Sequence, residues 1–352
     1  MMVSQRIARP LGAVSPVLIK EMRARMRGAR AFLILTAALL GFGGCSTVMY
    51  VISTQSPMVD PSSLSGVAVG QNLFRALMVF ETFLLMLIVP GLAAGSISQE
   101  HEARTYEMLV ATPLSPLGIV LGKMGATLSY VLLLMIAALP FTSLFFVLGG
   151  VTVSDIAVVS LVQIAIATMI TAMCALFSAL LRRTGRAVVT GYLMVAGLIV
   201  GPFLAFGIHG ILINDVPPRF WLVINPLSAV SSALAPAEPG SVLTFIGQGV
   251  DVQAGVVRPT WHFTLLVYAL VTLPAVVGSA YFVRPAARHR VRRRALATVG
   301  AGWALILVAA LLAFSSQDWQ NLVNPEVHIP PARQEIRVQE VPAPKPTAPQ
   351  GK

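Results

Sequence analysis

Long apolar runs separated by short polar stretches dominate the chain, and the length of the runs identifies them. Residues 31–53, 73–97, 124–148, 154–181, 187–213 and 262–283 are each about twenty residues or longer. At about 1.5 Å of rise per residue, a helix of that length crosses a hydrocarbon layer of about 30 Å. Six spans are therefore predicted, and the apolar stretch Ala295–Phe314 predicts a seventh. Gly41, Gly43 and Gly44 suggest close helix packing in the first span, and Pro140 suggests a kink in the third. Gly149 and Gly150 turn the chain before the fourth span, which Ser154 or Asp155 is expected to cap.

The polar stretches differ from one another. Ile97–Pro116 is charged yet compatible with a helix, predicted over residues 98–112 and broken by Pro113 and Pro116. Glu100, Glu102 and Glu107 sit toward its N-terminal part, where the helix dipole favours them, and Glu100 is spaced i,i+4 from Arg104 as in a surface ion pair. Before the first span, Ser15 and Pro16 suggest a helix start. Leu18, Ile19, Met22, Met26 and Ala29 then share one side, and Lys20, Arg23, Arg27 and Arg30 the other. That pattern predicts a helix lying in the membrane interface, its basic face toward lipid headgroups. Residues 214–260 have the prolines of a loop, but Phe220–Ile224 and Leu227–Leu234 are too apolar to be solvated and too short to span, so re-entrant or interfacial helices are expected. Residues 315–352 form a polar, proline-rich tail.

Composition supports a chain that uses lipid as its solvent. Hydrophobic residues make up 56% and charged residues 11% of the 352, which excludes an ordinary soluble domain and makes this an all-α polytopic membrane protein. The net charge of +11 does not point to nucleic acid, because its distribution follows topology. With the N-terminus cytoplasmic, the leader (1–30), Ser98–Lys123, Arg182–Arg186 and the basic loop Arg284–Arg294 hold 18 of the 25 Lys and Arg. This asymmetry predicts a multi-pass protein of the cell (cytoplasmic) membrane, N-terminus inside and tail outside. Arg75 and Glu81 fall inside the second span and form a candidate intramembrane polar site, since charges at such depth face protein or water.

Enzymatic chemistry is not expected in this chain. The nearest approach to a phosphate-binding loop, Gly118–Lys123, has three residues between its glycines where four are needed, and Met124 stands where a Ser or Thr should follow. The five histidines are scattered and form no zinc motif, and no Gly-x-Ser-x-Gly marks a nucleophile. Cys45 and Cys174 lie in apolar segments and read as packing residues. No cofactor or metal is expected.

Two motif regions, in this order, resemble the type-2, export-class ABC transporter permeases. Ser15-Pro-Val-Leu-Ile-Lys-Glu-Met-Arg-Ala-Arg-Met-Arg-Gly is similar to the family's helix before the first span. Ile97-Ser-x-Glu-x-Glu-x-x-Thr105, Leu109-x-x-Thr-Pro-Leu-Ser115 and Leu121-Gly-Lys123 are similar to its segment between the second and third spans. The likeness covers residues 15–285 and implies a six-span permease core, to which the seventh span and tail are additions. It implies that residues 98–112 act as a cytoplasmic coupling helix seated on a separate ABC ATP-binding subunit, which would hold ATP and magnesium. Glu100, Glu102, Arg104, Thr105 and Glu107 would make that contact, and a second permease, the same chain or a sister, would complete the path. The family often has a basic residue at His101 and a glycine at the position of Arg104. Two other classes stay open on the residues alone: a non-transporting membrane scaffold or anchor, and a proton-coupled secondary transporter working through Glu81.

Overall fold

The structure is a computed structural model that describes residues 16–26, 29–55, 66–111, 115–148, 151–181, 183–213, 220–234, 248–251, 256–283 and 327–328. Six of its helices are long and apolar enough to cross a membrane. They are α2 (Ala29–Gln55), α3 (Gly66–Ala93), α6 (Pro116–Leu148), α7 (Val153–Leu180), α8 (Thr184–Ile213) and α11 (Trp261–Phe282). Between and before them lie α1 (Pro16–Met26), α4 (Ser98–Glu102), α5 (Tyr106–Ala111), α9 (Phe220–Val223) and α10 (Pro226–Ala233). The apolar run Val69–Glu102 holds both α3 and α4. α3 alone has 28 residues, enough to span, so α4 and its charges lie beyond the hydrocarbon.

α7 is the axis of the bundle: it packs on α3, α6, α8, α10 and α11. Its buried residues include Val162, Ile166, Ile170 and Cys174, at the centre of a core shared with Leu77, Met86, Leu134 and Phe263. Small residues set the closest approaches. A Cβ at Gly191 of α8 would meet the Cys174 sulfur at 3.1 Å and Ala94 at 3.5 Å. In the first span Gly41 lies against Phe80, whereas Gly44 faces open space.

Local chemistry explains several boundaries that the sequence places differently. α7 is capped by Thr152 in a reciprocal box: its hydroxyl accepts from the Asp155 amide, and the Asp155 carboxylate accepts from the Thr152 amide at 2.8 Å. Asp155 is thus the second half of the cap rather than the cap itself. α6 starts at Pro116, so Gly118–Lys123 is helical and not a connecting loop.

The stretch 214–260 contains both expected helices and, in addition, a hairpin. Asn225 is buried and caps α10, its side-chain oxygen accepting from Leu227 and Ser228. Its amide nitrogen donates to the Ile199 carbonyl at 2.8 Å, just before Pro202 interrupts the α8 ladder. Thr264 and Tyr268 of α11 donate to the Val223 and Ile224 carbonyls at 2.8 and 2.9 Å. Side chains thereby satisfy the irregular backbone between α9 and α10, as burial requires. β1 (Gln248–Asp251), β2 (Val256–Pro259) and β3 (Val327–His328) form a small antiparallel sheet. β2 adjoins the start of α11, and Val283 ends that helix at the far side of the bundle. Residues 283 and 327 therefore lie at opposite ends of the bundle. The predicted span 295–314, the basic loop 284–294, the leader before Pro16 and the tail apart from β3 lie outside the described residues.

Candidate functional site

At the end of the bundle opposite the sheet, the α4–α5 segment is tied to several elements, beginning with its own start. α4 has no side-chain cap from its own N-cap residue, Ile97. Ser178 of α7, fully buried, supplies the missing acceptor: the Ile97 and Ser98 amides both donate to its hydroxyl at 2.9 Å. The Ser98 hydroxyl reaches Ser178 and Thr184, each at 3.2 Å, which joins α4 to the adjoining ends of α7 and α8.

The segment is two short helices rather than the single helix expected over 98–112. Arg104 adopts φ 56°, in the left-handed region. Around it the Arg104 amide donates to the His101 carbonyl and the Thr105 amide to the Glu100 carbonyl. That bonding closes a helix with a left-handed residue, usually glycine, just past its end. Arg104 therefore occupies a position that favours glycine, the residue that the sequence resemblance implies there. The break also prevents the expected Glu100–Arg104 pair. Beyond it the Tyr106 ring stacks on His101 at 3.8 Å, and its hydroxyl donates to the Val283 carbonyl of α11 at 2.5 Å. Tyr106 belongs to a second apolar cluster with Ile97, Ile119, Met124, Leu176 and Ala280, which forms a seat under the segment.

Two of the predicted contact acids work within the chain. Lys123 of α6, only 3% exposed, lies 2.8 Å from Glu21 of α1 and 3.2 Å from Glu100 of α4. One buried cation thus joins three elements. The Thr105 hydroxyl also donates to Glu100. Burial pushes the Glu100 carboxyl up, but Thr105, Lys123 and nearby Lys20 outweigh it and hold it below the usual carboxylate range. Glu102 accepts from the Thr184 amide at 3.0 Å and so caps the start of α8 from outside that helix. Thr184, with Arg183 adding to it, holds the Glu102 carboxyl low as well.

The outward face of the segment carries Arg104, Thr105, Glu107 and Met108, all exposed, with Met108 at 74%. Glu107 lies in the first turn of α5. Sequence reasoning missed Met108, Lys123, Ser178, Tyr106 and Glu21 as parts of this site. Glu21 did carry a signal, as the one acid in a basic leader.

The neighbouring α1 keeps only part of the expected two-sided pattern: Ile19, on the expected apolar side, is 47% exposed, and Ala29 is exposed and already belongs to α2. Lys20 and Arg23 are exposed, Met22 is half-buried and Val17 is buried. Leu18 lies where a Cβ on Gly125 of α6 would stand 3.1 Å away. The Met26 side chain and Arg27 lie outside what is described. The candidate intramembrane pair is not brought together as one site: Glu81 is buried against Gln163 of α7, while Arg75 is half-buried nearer the start of α3.

Residues 46–236, more than half of the chain, match the family described as ABC-2 family transporter protein. The match runs from within α2 to just beyond α10 and includes the whole α4–α5 segment. No curated protein matches the chain. A six-helix membrane bundle, a surface segment anchored to its spans and this family match agree: the chain belongs to the ABC-2 transporter family, as a multi-pass permease component of an ABC transporter.

Proposed function

We propose that the chain is the membrane subunit of an ATP-driven exporter, in which a separate nucleotide-binding subunit docks on α4–α5 and moves the spans when it closes on ATP. The observation that carries this reading is the combination of anchoring and exposure. The segment is fixed to α7 by Ser178, to α8 by Glu102, to α6 and α1 through Lys123 and to α11 by Tyr106, while Arg104, Thr105, Glu107 and Met108 remain exposed. A force applied to that face reaches every element to which the segment is tied. Its mixed charges and adaptable methionine suit a complementary protein groove.

On this reading the α4–α5 end is cytoplasmic, the N-terminus is inside and the tail outside, in the cytoplasmic membrane. ATP and magnesium belong to the partner, this chain catalyses no reaction, and a second permease, a copy or a sister, completes the path. α1 lies on the inner leaflet with Lys20 and Arg23 toward headgroups.

Affinity purification of the tagged full chain in mild detergent, followed by mass spectrometry, tests this. A stoichiometric nucleotide-binding protein is expected, and a Glu107→Lys, Met108→Asp variant is expected to retain at least about tenfold less of it while eluting as a folded protein, since both side chains are exposed. If the unaltered chain captures no such protein across several mild detergents, the scaffold reading takes its place.

A further inference from the structure

We propose that Glu81 and Gln163 form a proton-binding site between α3 and α7, with Glu81 carrying the proton while the two helices are in contact. Glu81 is 3% exposed and Gln163 fully buried. The Gln163 amide nitrogen donates to Glu81 Oε2 at 3.3 Å, to the Thr82 hydroxyl at 3.2 Å and to the Met78 carbonyl at 3.2 Å. This leaves Oε1 of Glu81 and Oε1 of Gln163 as buried acceptors without a donor among the described residues. An ionised carboxylate there would keep its charge in the bundle interior on the strength of one shared amide hydrogen bond. One proton on Glu81 removes the charge and turns an unmatched acceptor into a donor.

Among the described residues no ion pair reaches Glu81. α3 packs on α2, α6, α7, α8 and α10. Their acids and bases are engaged or sit near helix ends: Lys123 on α6 is held by Glu21 and Glu100, Asp155 on α7 is in its capping box, and Arg186 and His209 stand near the two ends of α8. The weaker titrating groups on these helices are Cys45 and Tyr50 on α2, Tyr130 on α6, Cys174 on α7 and Tyr192 on α8; α10 has none, and α3 itself adds Arg75. Among the described residues, Gln163 is the hydrogen-bond partner of Glu81. A metal ion would need more free oxygens than these two, and no group of three metal-binding side chains occurs among the described residues. A proton needs only one. Separating α7 from α3 would admit water to solvate the carboxylate and let the proton leave, so low pH favours the packed arrangement and high pH the separated one.

Infrared spectroscopy of the purified full chain in lipid bilayers at neutral pH, in water and in deuterium oxide, tests the assignment. The expected spectrum has a protonated-carboxyl carbonyl band that shifts on deuteration and is lost in Glu81→Gln. Because Glu81→Gln alone could fail to assemble, Gln163→Leu provides an independent arm: removing the amide donor should move the band to higher frequency. A Glu81 signal found only among ionised carboxylates would overturn the proposal, as would a carbonyl band that Gln163→Leu leaves in place. A carboxylate band that responds to sodium or potassium would also overturn it, placing a metal cation where the proton is assigned.

Discussion

Arg104 holds a left-handed backbone position that costs an L side chain about 1 kcal/mol or more and a glycine very little. Arg104→Gly should therefore stabilise the purified protein by about 1 kcal/mol and raise its thermal unfolding midpoint, whereas Arg104→Val should lower it. The same turn brings the Thr105 hydroxyl to Glu100, whose carboxyl Thr105 and Lys123 hold below the usual range despite its partial burial. A carboxyl lowered on folding stabilises the fold at pH values above its unfolded pKa. That contribution is lost as pH falls through the lower folded value. Thermal unfolding of the wild type and Glu100→Gln should therefore differ by a constant amount above the ordinary carboxylate range, and the gap should close as the solution is acidified below it. The glycine that the resembled family often has at the position of Arg104 was the one hint of this turn in the sequence. Ala103 and Arg104 are both good helix formers, so local propensity predicts a continuous helix and an i,i+4 pair. The packing of Tyr106 against the end of α11 decides otherwise.

The elements were legible where length and periodicity carry the signal, and illegible where a distant side chain does. Run lengths placed the six described spans, and α1 begins at Pro16. Lys123, by contrast, read as the end of a polar connector, because only the fold shows that α6 begins at Pro116 and carries this lysine among α1, α4 and its own helix. Ser178 was equally silent inside an apolar span, although two backbone amides of another element depend on it. The pairing of α1 with α4 through one cation makes a specific prediction. Lys123→Met removes the buried cation that Glu21 and Glu100 share and should cost about 3 kcal/mol, with α1 becoming an early site of proteolysis. Adding Glu21→Gln and Glu100→Gln to that variant removes the two carboxylates that shared this cation and should recover most of the loss. The three changes are therefore strongly non-additive, which a thermal-unfolding cycle would measure.

The six described spans are unequally covered, and the inequality indicates where another permease would fit. Only 11% of the apolar window of α2 and 17% of that of α8 are buried within the chain, against 44–50% for the other four. Leu40 on α2 and Leu193 and Leu204 on α8 are outward-facing at 72%, 67% and 58% exposure. Lipid can cover such faces, so exposure alone does not distinguish a neighbour from the bilayer. The proposed function does separate the two, because a half-permease needs a second one to enclose a path, and the least covered helices leave most room for it. Single cysteines at Leu40, Leu193 or Leu204 test this, in a background where Cys45 and Cys174 are replaced by Ser and Ala. In a self-paired permease they should form disulfide-linked dimers on mild oxidation in native membranes. Ile136 on α6 and Leu161 on α7 are also outward-facing, at 60% and 50% exposure, but lie on well-covered helices. Cysteines there should stay monomeric, and dimers at these two positions instead would place the second copy against α6 and α7.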